Sequence, residues 1–180
     1  DGVTFPALVA PGLVANLYVV ASGSGYLNAW IDFNANGSWA DAGEQIATNL
    51  LLTTGTHSLP VTVPTSAAVG ITYARFRFST QTGLSFSGPS AAPVPDGEVE
   101  DYAVDIQGFD YGDAPAPYPT LHVNSGPRHL ISTTGPLLGS GFDLEVDGQP
   151  STGADGDDTA GDDDEDGVSF TSPLYADTMA

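Results

Sequence analysis

The sequence predicts an all-β protein, an antiparallel β-sandwich of the jelly-roll or immunoglobulin-like kind, followed by a loop-rich acidic connector. Three observations carry that prediction. Six short runs rich in β-branched and aromatic residues lie between residues 13 and 106, separated by clusters of Gly, Pro, Ser and Asn, the spacing of an antiparallel sandwich. Residues 72–79 alternate cleanly, which puts Ala74, Phe76 and Phe78 on one face and Tyr73, Arg75 and Arg77 on the other. After Gly108 the text turns to Pro, Gly and acid.

The elements follow in order. Residues 2–31 carry no charge, but Pro6, Pro11, Gly12 and Asn16 interrupt them, so two strands and a turn are expected rather than a membrane span. "LVANLYVV" and "YLNAWIDF" are those strands; "EQIATNL", "HSLPVTV", "TYARFRFS" and "EVEDYAVDI" continue the set. The phenylalanine face of residues 72–79 is expected to be core. In "EVEDYAVDI", Val99 and Tyr102 cannot both point inward on a regular strand, so a bulge is allowed for there. The sandwich is assigned to residues 1–107, the connector to 108–165 and the start of a further repeat to 166–180. A disordered acidic linker is the alternative reading of the connector, against which Phe109, Tyr111, Tyr118, Leu121, Leu130, Ile131, Leu137, Leu138 and Phe142 supply apolar material.

At 180 residues and 41% apolar composition the chain can build a sizeable core. It has no lysine, its basic residues are Arg75, Arg77 and Arg128, and its formal charge is −20. Nucleic acid and anionic lipid are therefore poor partners, and no direct membrane insertion is expected. Cysteine is absent, which excludes disulfides, thiolate metal sites and thiol redox chemistry. No leader peptide opens the sequence, as expected of a mature fragment of a longer chain.

In "WIDFNANGSWADAGE", Asp32, Asn34 and Asn36 alternate before Gly37, with Ser38 two residues on and Asp41 and Glu44 beyond. This is the D-x-N-x-N-G form of a calcium loop, because calcium takes six to eight oxygen ligands at flexible angles. Side chains at positions 1, 3 and 5, a carbonyl at Ser38 and a later acid can wrap one ion. It is not an EF-hand, since position 12 is Gly43 and strands flank the loop. An Asn-Gly hairpin turn without an ion is the alternative.

Eleven carboxylates stand between Asp143 and Asp166 with no base among them. Asp143, Glu145 and Asp147 alternate before Gly148; Asp155, Asp157 and Asp158 follow; then come Asp162, Asp163, Asp164 and Asp166. Holding that charge in a compact space without counter-ions is strongly repulsive, and about five divalent cations would neutralise it. Order in this tract, with Asp110 and Asp113 at its start, is expected to require metal, and oxygen-only ligands favour several Ca2+ ions over zinc or copper.

Other chemistry finds less support. His122 and His129 near Asp110 and Asp113 lack a third nitrogen ligand and any zinc-protease or serine-hydrolase motif, so no enzyme is expected. With so many acids, carboxylate pairs for glycoside chemistry arise by chance. Arg75 and Arg77 share a strand face, and Glu98, Glu100 and Asp101 belong to the expected neighbouring strand, which predicts structural ion pairs across the sheet.

The words "PDGEVEDYAVDI" resemble the GEVED domain, a β-sandwich module common in large bacterial secreted and surface proteins, and Gly97-Glu98-Val99-Glu100-Asp101 matches the name letter for letter. "WIDFNANGSWADAGE" is similar to that family's W-x-D-x-N-x-D-G stretch, with Asn36 in place of the usual aspartate. The remainder is similar to the acidic connector that joins successive modules. The resemblance implies an extracellular or bacterial cell-surface, non-catalytic, calcium-associated building block of a filament or adhesin stalk. Its partners would be neighbouring copies, linked covalently or head to tail, and a host or matrix ligand. Asp166-Gly167-Val168-Ser169-Phe170 restates Asp1-Gly2-Val3-Thr4-Phe5 at an offset of 165 residues. On that reading the second copy opens the next module, and Asp1 is half of a metal site shared with the preceding one. The alternative is a glycan- or protein-binding sandwich on a secreted enzyme, with Tyr26, Trp30 and Trp39 as exposed stacking residues.

Overall fold

A computed structural model describes residues 1–88, 93–131, 136–141, 144–156 and 167–172. The chain divides into two compact units, Asp1–Gly108 and Phe109–Ala180.

Among the described residues of the first unit, seven strands form two antiparallel sheets. β1 (Val3–Thr4), β2 (Val14–Ala21) and β5 (Gly55–Thr62) make one sheet in the order β1-β2-β5. β3 (Gly25–Ile31), β4 (Gln45–Leu52), β6 (Gly70–Ser79) and β7 (Glu98–Ile106) make the other in the order β4-β3-β6-β7. Alternation explains the layering. β2 buries Ala15, Leu17, Val19 and Ala21 and exposes Val14, Tyr18 and Val20, as a strand with one wet face does. One core cluster joins Leu17, Val19, Leu59 and Val61 of the first sheet to Leu27, Ala29, Ile31, Ala74, Phe76 and Val104 of the second. Two faces sharing one apolar core define a β-sandwich.

The β6 face falls as its alternation predicts at Ala74 and Phe76, which are buried, with Phe78 packed against the core and Tyr73 exposed. Two expectations change. The bulge allowed for at Val99–Tyr102 is not there: β6 and β7 keep register from Gly70↔Ile106 to Phe78↔Glu98. Regular parity turns Tyr102, Val104 and Ile106 inward and leaves Val99 exposed. The irregularity sits instead between β3 and β4, at Leu27 to Trp30. There the inner and outer positions of β3 are both covered, and Asn28 and Trp30 are buried along with Leu27, Ala29 and Ile31.

In the second unit β8 (Phe109–Tyr111) pairs antiparallel with β9 (Arg128–Leu130), and Glu145 bridges to Phe109. Arg128 stacks its guanidinium 4.8 Å from the Phe109 ring, a cation–π contact. Among the described residues no helix is long and apolar enough to cross a membrane.

Candidate functional site

The loop between β3 and β4 gathers the residues of the calcium-like motif. Asp32 is buried at the end of β3, where Thr72 Oγ1 donates to its carbonyl at 2.5 Å. Its carboxylate receives Asn36 N–H at 3.2 Å on Oδ1 and Gly37 N–H at 2.9 Å on Oδ2. Asn34 Oδ1 also accepts from Asn36 N–H at 3.1 Å, and Asn36 Oδ1 from Ser38 N–H at 2.9 Å. The amide groups of Asn34 and Asn36 both donate to Asp41 Oδ2, at 3.2 and 2.8 Å. Short polar side chains that bond their own backbone are what bend this loop.

Glu44 closes it from β4's side. Its Oε2 accepts Asp41 N–H at 3.3 Å. Oε1 is buried with no hydrogen-bond partner, in a residue only 2% exposed. Burial pushes the Glu44 carboxyl above its usual range, opposed by backbone hydrogen bonds and reinforced by the charges of Asp32 and Asp41. The loop thus holds an orphaned carboxylate oxygen beside two other acids. Among the described residues no three His, Asp or Glu side chains converge as a ready-made metal group; the remaining oxygens of the loop belong to Asn34, Asn36 and Ser38.

In the second unit, acids that lie among the described residues accept hydrogen bonds from neighbouring backbone and hydroxyl groups. Asp113 is buried and accepts Gln149 N–H at 3.1 Å and Gly156 N–H at 2.9 Å. Glu145 is buried and accepts Tyr111 N–H at 2.8 Å. Asp147 caps His122 N–H at 2.5 Å and Gly148 N–H at 3.0 Å, and Asp155 accepts Ser151 Oγ–H at 2.5 Å. Backbone N–H and hydroxyl donors hold these four carboxylates in place. Asp110 stands opposite His129 in the β8–β9 register, and His122 Nε2 lies 3.4 Å from Arg128. Asp143, Asp157, Asp158, Asp162, Asp163, Asp164 and Asp166 lie outside the described residues.

The expected ion pairs resolve into one. Arg75 faces Asp101 in register and binds it through Nε to Oδ1 at 2.8 Å and Nη2 to Oδ2 at 2.6 Å. Arg77 is a correction: among the described residues it meets no carboxylate. It is 7% exposed and donates to the carbonyls of Ser85 and Ser87, at 2.7 and 3.1 Å. Residues 83–87 cover this part of the outer face, so a position that alternation calls solvated is roofed by a loop. Glu98 is exposed at the start of β7. Glu100 turns inward and accepts from Gly2 N–H and Tyr102 Oη–H, and from the nitrogen of Asp1. Burial raises the Glu100 carboxyl, and the Tyr102 hydroxyl and the Gly2 N–H pull it down.

In the stretch "DGEVEDY", Asp96, Glu100, Asp101 and Tyr102 each have a role. Asp96 accepts from Ser79 Oγ, Thr80 N and Thr80 Oγ1, tying the end of β6 to the start of β7. Gly97 has φ +84°, and a Cβ there would lie 1.8 Å from the Phe78 carbonyl oxygen. Glu100 and Tyr102 hold the first strand, Val3 N–H donating to Tyr102 Oη at 3.1 Å, and Asp101 takes Arg75.

A groove of about 420 Å3 lies on the outer face of the four-stranded sheet, edged by Trp39, Asp41, Gln45, Asn49 and Phe86. Of the expected stacking residues, Trp30 is a correction: it is 3% exposed, under Phe86 at a ring separation of 6.3 Å. Trp39 is partly exposed and Arg75 lies 4.5 Å above its ring.

No curated protein and no solved structure matches this chain. The family model of the GEVED domain matches residues 26–105, the stretch that holds β3 to β7 and the Asp32–Glu44 loop.

Proposed function

We propose that this chain is a non-catalytic structural repeat of an extracellular fibre or adhesin stalk at a bacterial cell surface, whose copies join end to end through calcium sites. The observation that carries the reading is the buried, unpartnered Glu44 Oε1 beside Asp32 and Asp41. A carboxylate left half-satisfied in a protein interior is costly, and a divalent cation removes the cost. Asp32, Asn34, Asn36, Ser38, Asp41 and Glu44 offer oxygen donors alone, which fits calcium. Further support comes from the charge of −20 and from the return of D-G-V-(Thr/Ser)-F directly after the densest acids. Neighbouring copies are the principal partners, and a host or matrix ligand is a further one.

Calorimetric titration with calcium, together with X-ray scattering from two tandem copies, tests this. The expected result is binding heat, and a fixed angle between copies in calcium that is lost in chelator. Absence of binding heat, with the same scattering in both conditions, overturns it.

A second reading is favoured by the groove at Trp39. Its amides and partly exposed aromatics suit a sugar, which stacks its apolar face and hydrogen-bonds its hydroxyls. Titration of free oligosaccharides, followed by the Trp39 indole signal, tests it, and no shift at millimolar sugar discards it.

A further inference from the structure

The strand text that occurs twice is read by the protein at one defined place. Gly2, Val3, Thr4 and Phe5 lie in a slot walled by β2 on one side and by β7 on the other. On the β2 side Val3 and Thr4 pair with Val19 and Tyr18, and Val20 N–H donates to Gly2 O at 2.8 Å. On the β7 side Glu100 takes Gly2 N–H at 3.1 and 3.2 Å, and Tyr102 Oη takes Val3 N–H at 3.1 Å. Phe5 meets Phe76 and Tyr102 with ring centroids 6.1 and 5.8 Å apart.

The slot has a selectivity that can be read residue by residue. A Cβ on Gly2 would stand 3.3 Å from Glu100 Oε2, pressing on that carboxylate, and 3.4 Å from Val20 O, in ordinary contact. Val3 is 8% exposed, and Phe5 completes the apolar pair. Thr4 points outward and is exposed. The second copy keeps Gly167, Val168 and Phe170 and changes only the outward residue, to Ser169. Every position the slot reads is retained. Yet Val168 is 61% and Phe170 75% exposed, whereas in the slot Val3 is buried and Phe5 is packed, partly buried, against the core.

We propose that Glu100 and Tyr102, with the edge of β2, form a receptor for the D-G-V-(Thr/Ser)-F strand, and that its second occupant is residues 166–170 of another copy of this chain. This rests on the reading of the chain as a repeat and names the contact between copies. Backbone pairing to an edge supplies affinity, and the Val and Phe pockets supply specificity. The chain's own first strand competes from a tether, at millimolar effective concentration. Exchange between separate copies is therefore slow until that strand is weakened, whereas in tandem copies the contact forms as the next sandwich folds.

The chain has no cysteine, so disulfide trapping reports on this contact alone. Thr4 and Tyr18 are exposed register partners, hence a docked Ser169 faces Tyr18 of the receiving copy at a spacing a disulfide spans. The test is the full chain carrying Tyr18→Cys and Ser169→Cys, with Phe5→Ser to weaken its own strand, under mild oxidation in calcium and in chelator. Val3→Thr replaces Phe5→Ser if circular dichroism shows that the sheet is lost. Covalent dimers and higher oligomers are expected, at least tenfold above a control pairing Tyr73→Cys with Ser169→Cys, and Glu100→Ala is expected to remove that excess. Equal yields from the two pairs, or a disulfide formed within one chain, overturn the proposal. The trap needs no calcium, so oligomers in chelator support the strand contact whatever becomes of the calcium reading. Failure to trap beside intact calcium binding removes the strand contact alone.

Discussion

Arg75 and Asp101 form a two-pronged pair across β6 and β7, while the Arg75 plane also covers Trp39 and its Nη1 reaches the Phe86 carbonyl at 3.0 Å. The hydrogen bonds from Arg75 hold the Asp101 carboxyl below its usual range, against the opposing effect of burial. Asp101→Asn is therefore expected to cost less than about 1 kcal/mol at neutral pH, as half-exposed pairs do. The sign with pH follows from the depressed folded value. The contribution is complete above the unfolded value of about 3.9 and fades as pH falls through the folded one. Urea midpoints of wild type and Asp101→Asn should converge on acidification. Arg75→Lys should cost more than Asp101→Asn, since it also loses the fork, the Trp39 contact and the Phe86 carbonyl.

Arg77→Met tests the buried guanidinium. Ser85 and Ser87 lose their donor, and the loop over Trp30 loses its anchor. The expected cost is about 2 kcal/mol, with faster amide exchange confined to residues 83–87. Uniform loss of protection across β6 and β7 would instead mean that Arg77 supports the whole sheet.

These two arginines show where the sequence was legible. Alternation reports which face a residue takes, and it placed Ala74, Phe76, Tyr73 and Arg75 because sheet parity decides them locally. It does not report what covers a face. Arg77 and Trp30 are buried by residues 83–87, a loop with no periodicity of its own. The oxygen-rich loop was legible as a spacing from Asp32 to Glu44, but the orphaned Oε1 depends on how β4 packs. Glu100 was assigned to an arginine on charge alone. Its true donors, Gly2 and Tyr102, lie on the inner side of the strand, which regular parity would have indicated had no bulge been allowed for.

Gly97→Ala is expected to be among the most damaging single changes in the sandwich. Left-handed backbone alone costs about 1–2 kcal/mol for a residue with a Cβ. Overlap with the Phe78 carbonyl oxygen adds to it by forcing β6 and β7 apart at the start of their pairing. A total above about 3 kcal/mol in urea denaturation is the expected outcome. A loss near 1 kcal/mol would show that the turn relaxes without parting the strands.

Glu44→Gln and Asp32→Ala separate an ion-binding loop from a plain turn, because the two readings give opposite signs. Without an ion, Glu44 carries a buried charge that repels Asp32 and Asp41, so neutralising it is expected to raise the melting temperature in chelator. With calcium bound, the same change removes a charged ligand and lowers the melting temperature. The wild-type gain from calcium is RT ln(1 + [Ca]/Kd), about 2.7 kcal/mol at a hundredfold excess over Kd. Asp32→Ala loses the Asn36 and Gly37 contacts in both conditions, costing about 1–2 kcal/mol in chelator and more in calcium. Thermal melts of the three proteins in calcium and in chelator read all of this at once. A Glu44→Gln effect that has the same sign and size in both conditions leaves the loop as a hydrogen-bonded turn, and the calcium-joined repeat then loses the observation that carries it.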